Sequence, residues 1–134
     1  MDEQTELLLR KSAANEQTIS SPDLERVPDV FGFHTQQAVE KLLKALLTEL
    51  GVSHRRTHDV AELVAMVEQR DQPIPATPIA LSRLTAFAVQ FRYDELPGNL
   101  ALDPSEARDT VTTLRKHVEG RLREIEAKSR PQKE

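Results

Sequence analysis

The stretch from Phe33 to Gly51 constrains this chain more than any other part of it. Phe33-His34-Thr35-Gln36-Gln37-Ala38-Val39-Glu40-Lys41 runs unbroken into a leucine-rich segment that stops at Gly51, and Thr57-His58-Asp59-Val60 follows a short basic linker. At helical period this is one long helix with two stripes. Phe33, Val39, Leu42, Leu43, Leu46, Leu47 and Leu50 cover an apolar surface broad enough to face both a bundle core and a second partner. His34, Gln37, Lys41, Lys44 and Thr48 recur at alternating spacings of three and four, which stacks them as a polar seam along the same helix.

The rest of the chain reads as helix and turn. Leu7, Leu8, Leu9, Ala13 and Ala14 suggest a first helix over about 5–17, although the periodicity there is poor. Ser21-Pro22 breaks it or opens a short turn. The main helix begins near Asp29 or Val30, and Gly51 closes it in a left-handed conformation. Thr57 is the expected amino cap of a third helix that carries Val60, Leu63, Val64 and Val67 and ends near Arg70. After Pro73 and Pro75, Thr77-Pro78 is expected to open a fourth helix with Leu81, Leu84, Ala88 and Phe91 on one face, and Pro97-Gly98-Asn99 makes a turn beyond it. Asp103-Pro104-Ser105-Glu106 is the clearest helix start in the chain. From it Ala107, Val111, Leu114, Val118, Leu122 and Ile125 alternate by four and three, the seam of antiparallel packing.

With no strand-like alternation and no repeat, the fold class is all-α, an antiparallel bundle of four main helices and a less definite fifth at the start. One domain is expected over 1–127, with a charged, frayed tail over 128–134. With 134 residues, no cysteine, an acidic amino terminus and no apolar run of membrane length, a cytoplasmic protein without disulfides or thiolate metal sites is the simplest expectation. The formal net charge of −4 argues against a surface built mainly for nucleic-acid backbone. The candidate basic patches are local: His54-Arg55-Arg56 in the linker, and Arg115-Lys116-His117 with Arg121 and Arg123 in the last helix, where such residues usually sit in water.

The block Phe-His-x-Gln-Gln-Ala-x-Glu-Lys, then Leu-Lys-Ala-Leu-Leu, Gly51 and Thr57-His58-Asp59-Val60, continued by Leu84, Ala88 and Arg92-Tyr93, resembles the HEPN family over roughly residues 30 to 95. The resemblance implies a helical bundle and a dimer. It also raises the metal-independent ribonuclease activity of many members, built on an arginine and a histidine with four to six residues between them, the arginine holding the scissile phosphate and the histidine moving a proton at the ribose 2′ hydroxyl. This chain departs from that spacing: Arg26 and His34 have seven residues between them, Arg108 and His117 eight, Arg55 and His58 two.

The candidate catalytic residues are therefore Arg92, His34 and His58, meeting only through the fold or across a dimer axis. Arg92, Tyr93, His34, Gln37, Lys41 and Asp59 are the candidate ligand contacts, Arg92 as a phosphate fork and Tyr93 as a base-stacking ring or a modified side chain. The competing readings are structural. His34 would be bonded to a carboxylate or carbonyl, Asp59 would cap a helix, and Arg92 would pair with Asp94 or Glu95. No metal site or cofactor is expected, since His54 and His58 straddle the expected helix start. The reading is a homodimeric partner of a minimal nucleotidyltransferase in a toxin–antitoxin-like pair. The alternatives are a ribonuclease with a composite Arg/His site and a non-catalytic nucleotide- or RNA-binding module.

Overall fold

The helix read from Phe33 to Gly51 forms, and it is surrounded. A computed structural model describes residues 1–54, 56–90 and 101–129 of the chain, and no strand occurs among them. The helices are α1 (Glu3–Ile19), α2 (Pro28–Glu49), α3 (Val60–Arg70), α4 (Phe87–Gln90) and α5 (Pro104–Ser129). α2 packs against all four others. A helix apolar nearly all round belongs inside a protein, and Val39, Leu42, Leu43, Leu46 and Leu47 are each buried within the chain. This corrects the expectation of a surplus apolar face for a second partner: the breadth of the stripe is used by intramolecular neighbours, with only Phe33 and Leu50 partly exposed.

α2 ends where Gly51 allows. Gly51 has φ 74°, Val52 N–H donates to Leu47 O at 2.9 Å and Gly51 N–H to Thr48 O at 3.1 Å. This is a Schellman closure, with Val52 packed back on the core.

α1 runs antiparallel to α2, because Thr5 reaches Glu49 near the end of α2 while Asn15 reaches His34 near its start. The poor periodicity of α1 has a physical cause. Its buried face consists of Thr5, Leu8, Ser12 and Ile19, and the two hydroxyls are satisfied by Glu49 Oε2 at 2.6 Å and Ala38 O at 2.9 Å. α1 is thus a main helix of the bundle.

Two helix starts differ from the sequence reading. α3 is capped by Asp59, whose carboxylate accepts from the amides of Ala61 and Glu62; Thr57 instead closes a turn, its amide donating to His54 O at 3.2 Å. The fourth helix does not begin at Thr77-Pro78. Thr77 Oγ1 donates to Ile79 O and Ile79 N–H to Thr110 Oγ1 on α5, so this backbone is tied to its neighbours. The chain enters a 3₁₀ turn only at Leu81–Ala86, continued by the short α4. Leu81, Leu84 and Phe87 are buried, and their spacing of three matches the 3₁₀ period. Phe87 lies so close to Gly32 of α2 that any β-carbon there would overlap its ring.

α5 starts as read, with Asp103 accepting from Glu106 N–H at 2.9 Å. Ala107, Val111, Leu114, Val118 and Leu122 are buried. The helix runs to Ser129, two residues past the expected boundary at 127. No described helix is long and apolar enough to cross a membrane.

Candidate functional site

The polar residues of α2 do not form one seam. Gln36, Glu40, Lys44 and Thr48, each one helical turn after the last, form a ladder that is mostly buried: Gln36 is 0%, Glu40 1% and Lys44 7% exposed. Gln36 and Glu40 were not singled out by the sequence reading, since both fall under the apolar surface drawn for this helix.

Glu40 is the centre of the arrangement. Its Oε1 accepts from Gln36 Nε2 at 2.8 Å. Three donors converge on Oε2: Lys44 Nζ at 3.3 Å, Lys41 Nζ at 3.5 Å and His58 Nδ1 at 3.4 Å. Burial pushes the Glu40 carboxyl up, but the Gln36 hydrogen bond, the Lys44 and Lys41 charges and the His58 contact together bring it below the usual carboxylate range. Glu40 is therefore an anion inside the bundle, and Lys41 also donates to Gln37 Oε1 at 3.1 Å.

The outer end of the group is His58, whose side chain is 66% exposed. A carboxylate can only accept, so Nδ1 is the nitrogen that donates to Glu40. Next to it Asp59 caps α3 and also accepts from Thr85 Oγ1 at 3.0 Å, so the structural reading of Asp59 holds. His34 is elsewhere. Six residues on a helix turn it about 120° from Glu40, and its Nδ1 lies 2.9 Å from Asn15 Oδ1 on α1. Burial lowers the pKa of His34 below the ordinary histidine value. The partner is a side-chain amide, not the carboxylate or backbone carbonyl anticipated.

The fold thus joins Lys41 and His58 to Glu40, with Gln37 bonded to Lys41, leaves Asp59 as the cap of α3, and separates the group from His34. Arg92 and Tyr93 lie outside the described residues, as does Arg55.

The basic residues of α5 divide: Lys116 and Arg123 are exposed, whereas Arg108, Arg115 and Arg121 are engaged. Arg121 is buried, with Nε 2.9 Å and Nη2 2.7 Å from the two oxygens of Asp71 and Nη1 2.6 Å from Glu124. Beside it His117 is held below the ordinary histidine range by burial, with Asp71 opposing and Arg121 adding to the effect. Arg115 pairs with Glu16 and Glu119, and Arg108 donates to Ile19 O and Glu25. In the linker, His54 is buried at 8% exposure and Arg56 is exposed. No cluster of three metal-ligating side chains occurs among the described residues.

Comparison with known proteins gives one positive result. The family model of the HEPN domain matches residues 9–125. No curated protein and no solved structure matches the chain. A family match over nearly the whole chain, on an all-helical bundle whose central helix carries the quoted block, means that this chain belongs to the HEPN domain family.

Proposed function

We propose that the protein is a homodimeric partner of a minimal nucleotidyltransferase in a toxin–antitoxin-like pair, and that it binds nucleotide or RNA without cutting RNA. The observation that supports the non-cleaving part is where the candidate histidines go: His34 is bonded to Asn15 and His58 to Glu40, and neither is bonded to an arginine among the described residues. The arginine–histidine spacing of the ribonuclease site is also missing from the sequence. Dimerisation and the nucleotidyltransferase partner rest on the family alone, since the apolar face of α2 that would have motivated a dimer is consumed inside the chain.

The test is co-purification with a co-expressed minimal nucleotidyltransferase, combined with light scattering of the free protein and incubation with total RNA in chelator. A complex, a dimer and intact RNA are the expected results. A monomer that forms no complex sinks the pairing.

One observation favours a second reading. Glu40 holds an oxygen 3.4 Å from Nδ1 of His58, whose side chain is 66% exposed, the pairing of a carboxylate-oriented general base. Metal-free RNA cleavage abolished by His58→Ala and by Arg92→Ala separately would make the protein a ribonuclease with a composite site.

A further inference from the structure

His54 follows the Schellman turn of α2, in a linker that the sequence reads as a local basic patch, yet it is 8% exposed. Its ring seats on the last turns of α2, with Nε2 2.8 Å from Thr48 Oγ1. That hydroxyl also lies 2.8 Å from Lys44 O. A hydroxyl has one proton, so both contacts are met at once when Thr48 donates to the carbonyl and the imidazole Nε2–H donates to Thr48. Nδ1 is then a bare acceptor, and it is buried with no side-chain partner among the described residues.

The surroundings make this seat fit a neutral ring. From α2, the charged group acting on His54 is Lys44, which opposes a second positive charge. Glu49 of the same helix end is engaged by Asp2 N–H and Thr5 Oγ1. From α1, the uncharged Gln4 borders an adjoining cavity of about 280 Å³ that Thr48, Gly51, Val52, Ser53 and His54 also line. The cavity gives the ring somewhere to go.

We propose that His54 is a proton-operated latch: neutral, it pins the Val52–His54 segment to the end of α2; protonated, it leaves its seat for water. In the seat the added proton would sit on a buried nitrogen with only the residue's own backbone to accept it, near the Lys44 ammonium, whereas in water both nitrogens are solvated. In agreement, burial first and Lys44 second lower the pKa of His54 from the ordinary histidine value, against a smaller opposing effect of its own backbone. A lowered pKa means that the latch is fully closed above the ordinary histidine range. It weakens as pH falls through that range and levels off below the lowered value. Release uncovers Thr48 and Lys44 and adds a positive charge to that end of the molecule. The device is independent of the nucleotidyltransferase pairing and stands or falls separately.

The experiment is amide hydrogen exchange resolved by residue, corrected for the intrinsic effect of pH, alongside NMR titration of the histidine rings. Exchange at Val52, whose amide donates to Leu47 O, should rise by up to about tenfold per pH unit, the limit for one coupled proton, below the ordinary histidine range. Leu43 in α2 and Val118 in α5 should stay protected. His54→Gln, which takes no proton, should abolish the rise. If that variant does not fold, Lys44→Met should move the titration of His54 upward. The latch is overturned if the His54 ring titrates like an exposed histidine, if the rise persists in His54→Gln, if Leu43 and Val118 open in step, or if Lys44→Met leaves the midpoint where it was.

Discussion

The Asp71–Arg121 pair and the Glu40 group are both buried charge clusters, and they end differently. Arg121 offers a planar fork that Asp71 fills with two bonds while Glu124 takes the third donor, so the guanidinium is used up in tying the end of α3 to α5. Asp71 is held below the carboxylate range mainly by its hydrogen bonds from Arg121. Around Glu40, by contrast, Lys41, Lys44 and His58 share one oxygen, and the group leads out to an exposed imidazole. Two ammonium charges face one carboxylate. A closed pair of matched geometry uses up its donors; the Glu40 group is unbalanced and reaches solvent through His58.

The largest expected effect comes from breaking the closed pair on one side. Arg121→Met should cost about 3–5 kcal/mol in urea unfolding, because Asp71 would remain buried and unpaired. Replacing both partners, Arg121→Met with Asp71→Leu, should recover most of that loss. If the single and double variants lose the same stability, the pair is not the closed unit described here.

Next comes Gly32→Ala. The added methyl meets the ring of Phe87, which is 1% exposed in the core, and the cost should be about 1–3 kcal/mol, typical of overpacking. A melting temperature equal to wild type would show that α4 moves freely away from α2.

Glu40→Gln sharpens the comparison through pH. A carboxylate whose folded pKa is lowered contributes stability above its unfolded pKa and loses it as pH falls through the folded value. The wild type should therefore lose stability on acidification below about pH 4.5 partly through Glu40. In Glu40→Gln this part of the slope should vanish, with stability at neutral pH lower by about 1–3 kcal/mol because Lys44 loses its counter-ion. Unchanged urea midpoints across that range would remove Glu40 from the centre of the group.

What was legible in the sequence was local. Gly51, Asp103-Pro104 and the stripe of α5 depend on neighbours within a turn or two, and each folds as read. Thr57 and Thr77 were plausible caps by the same local chemistry, but the first was displaced by a better carboxylate two residues on and the second by bonds to Ile79 and, through it, Thr110 on α5. The candidate site was half legible. Lys41, Gln37, His58 and Asp59 were named, whereas Gln36 and Glu40 were hidden in an apolar-looking face. The signal that could have found them is the i, i+4 run of Gln36, Glu40, Lys44 and Thr48, a polar line too regular for a purely apolar contact. The partnership of Arg121 with Asp71, across 50 residues of sequence, had no local signal at all.

The smallest effect concerns Arg115, on the same helix as Arg121. It too is bonded to carboxylates, Glu16 at 3.0 Å and Glu119 at 3.1 Å, so a count of ion pairs would treat the two arginines alike. Their exposure differs: the side chain of Arg115 is 34% exposed and that of Arg121 is 9% exposed. In water the Coulomb attraction is screened, and ordering two long side chains takes back much of what remains, so Arg115→Met should change stability by only about 0–1 kcal/mol. The remaining effect should shrink in 1 M salt, about where the screening length falls to 3 Å, while the cost of Arg121→Met should persist because its partner carboxylate is shielded from ions. Equal costs for the two substitutions, or equal salt dependence, would mean that burial does not separate the two sites and that the contrast between closed and open clusters has to be drawn from geometry alone.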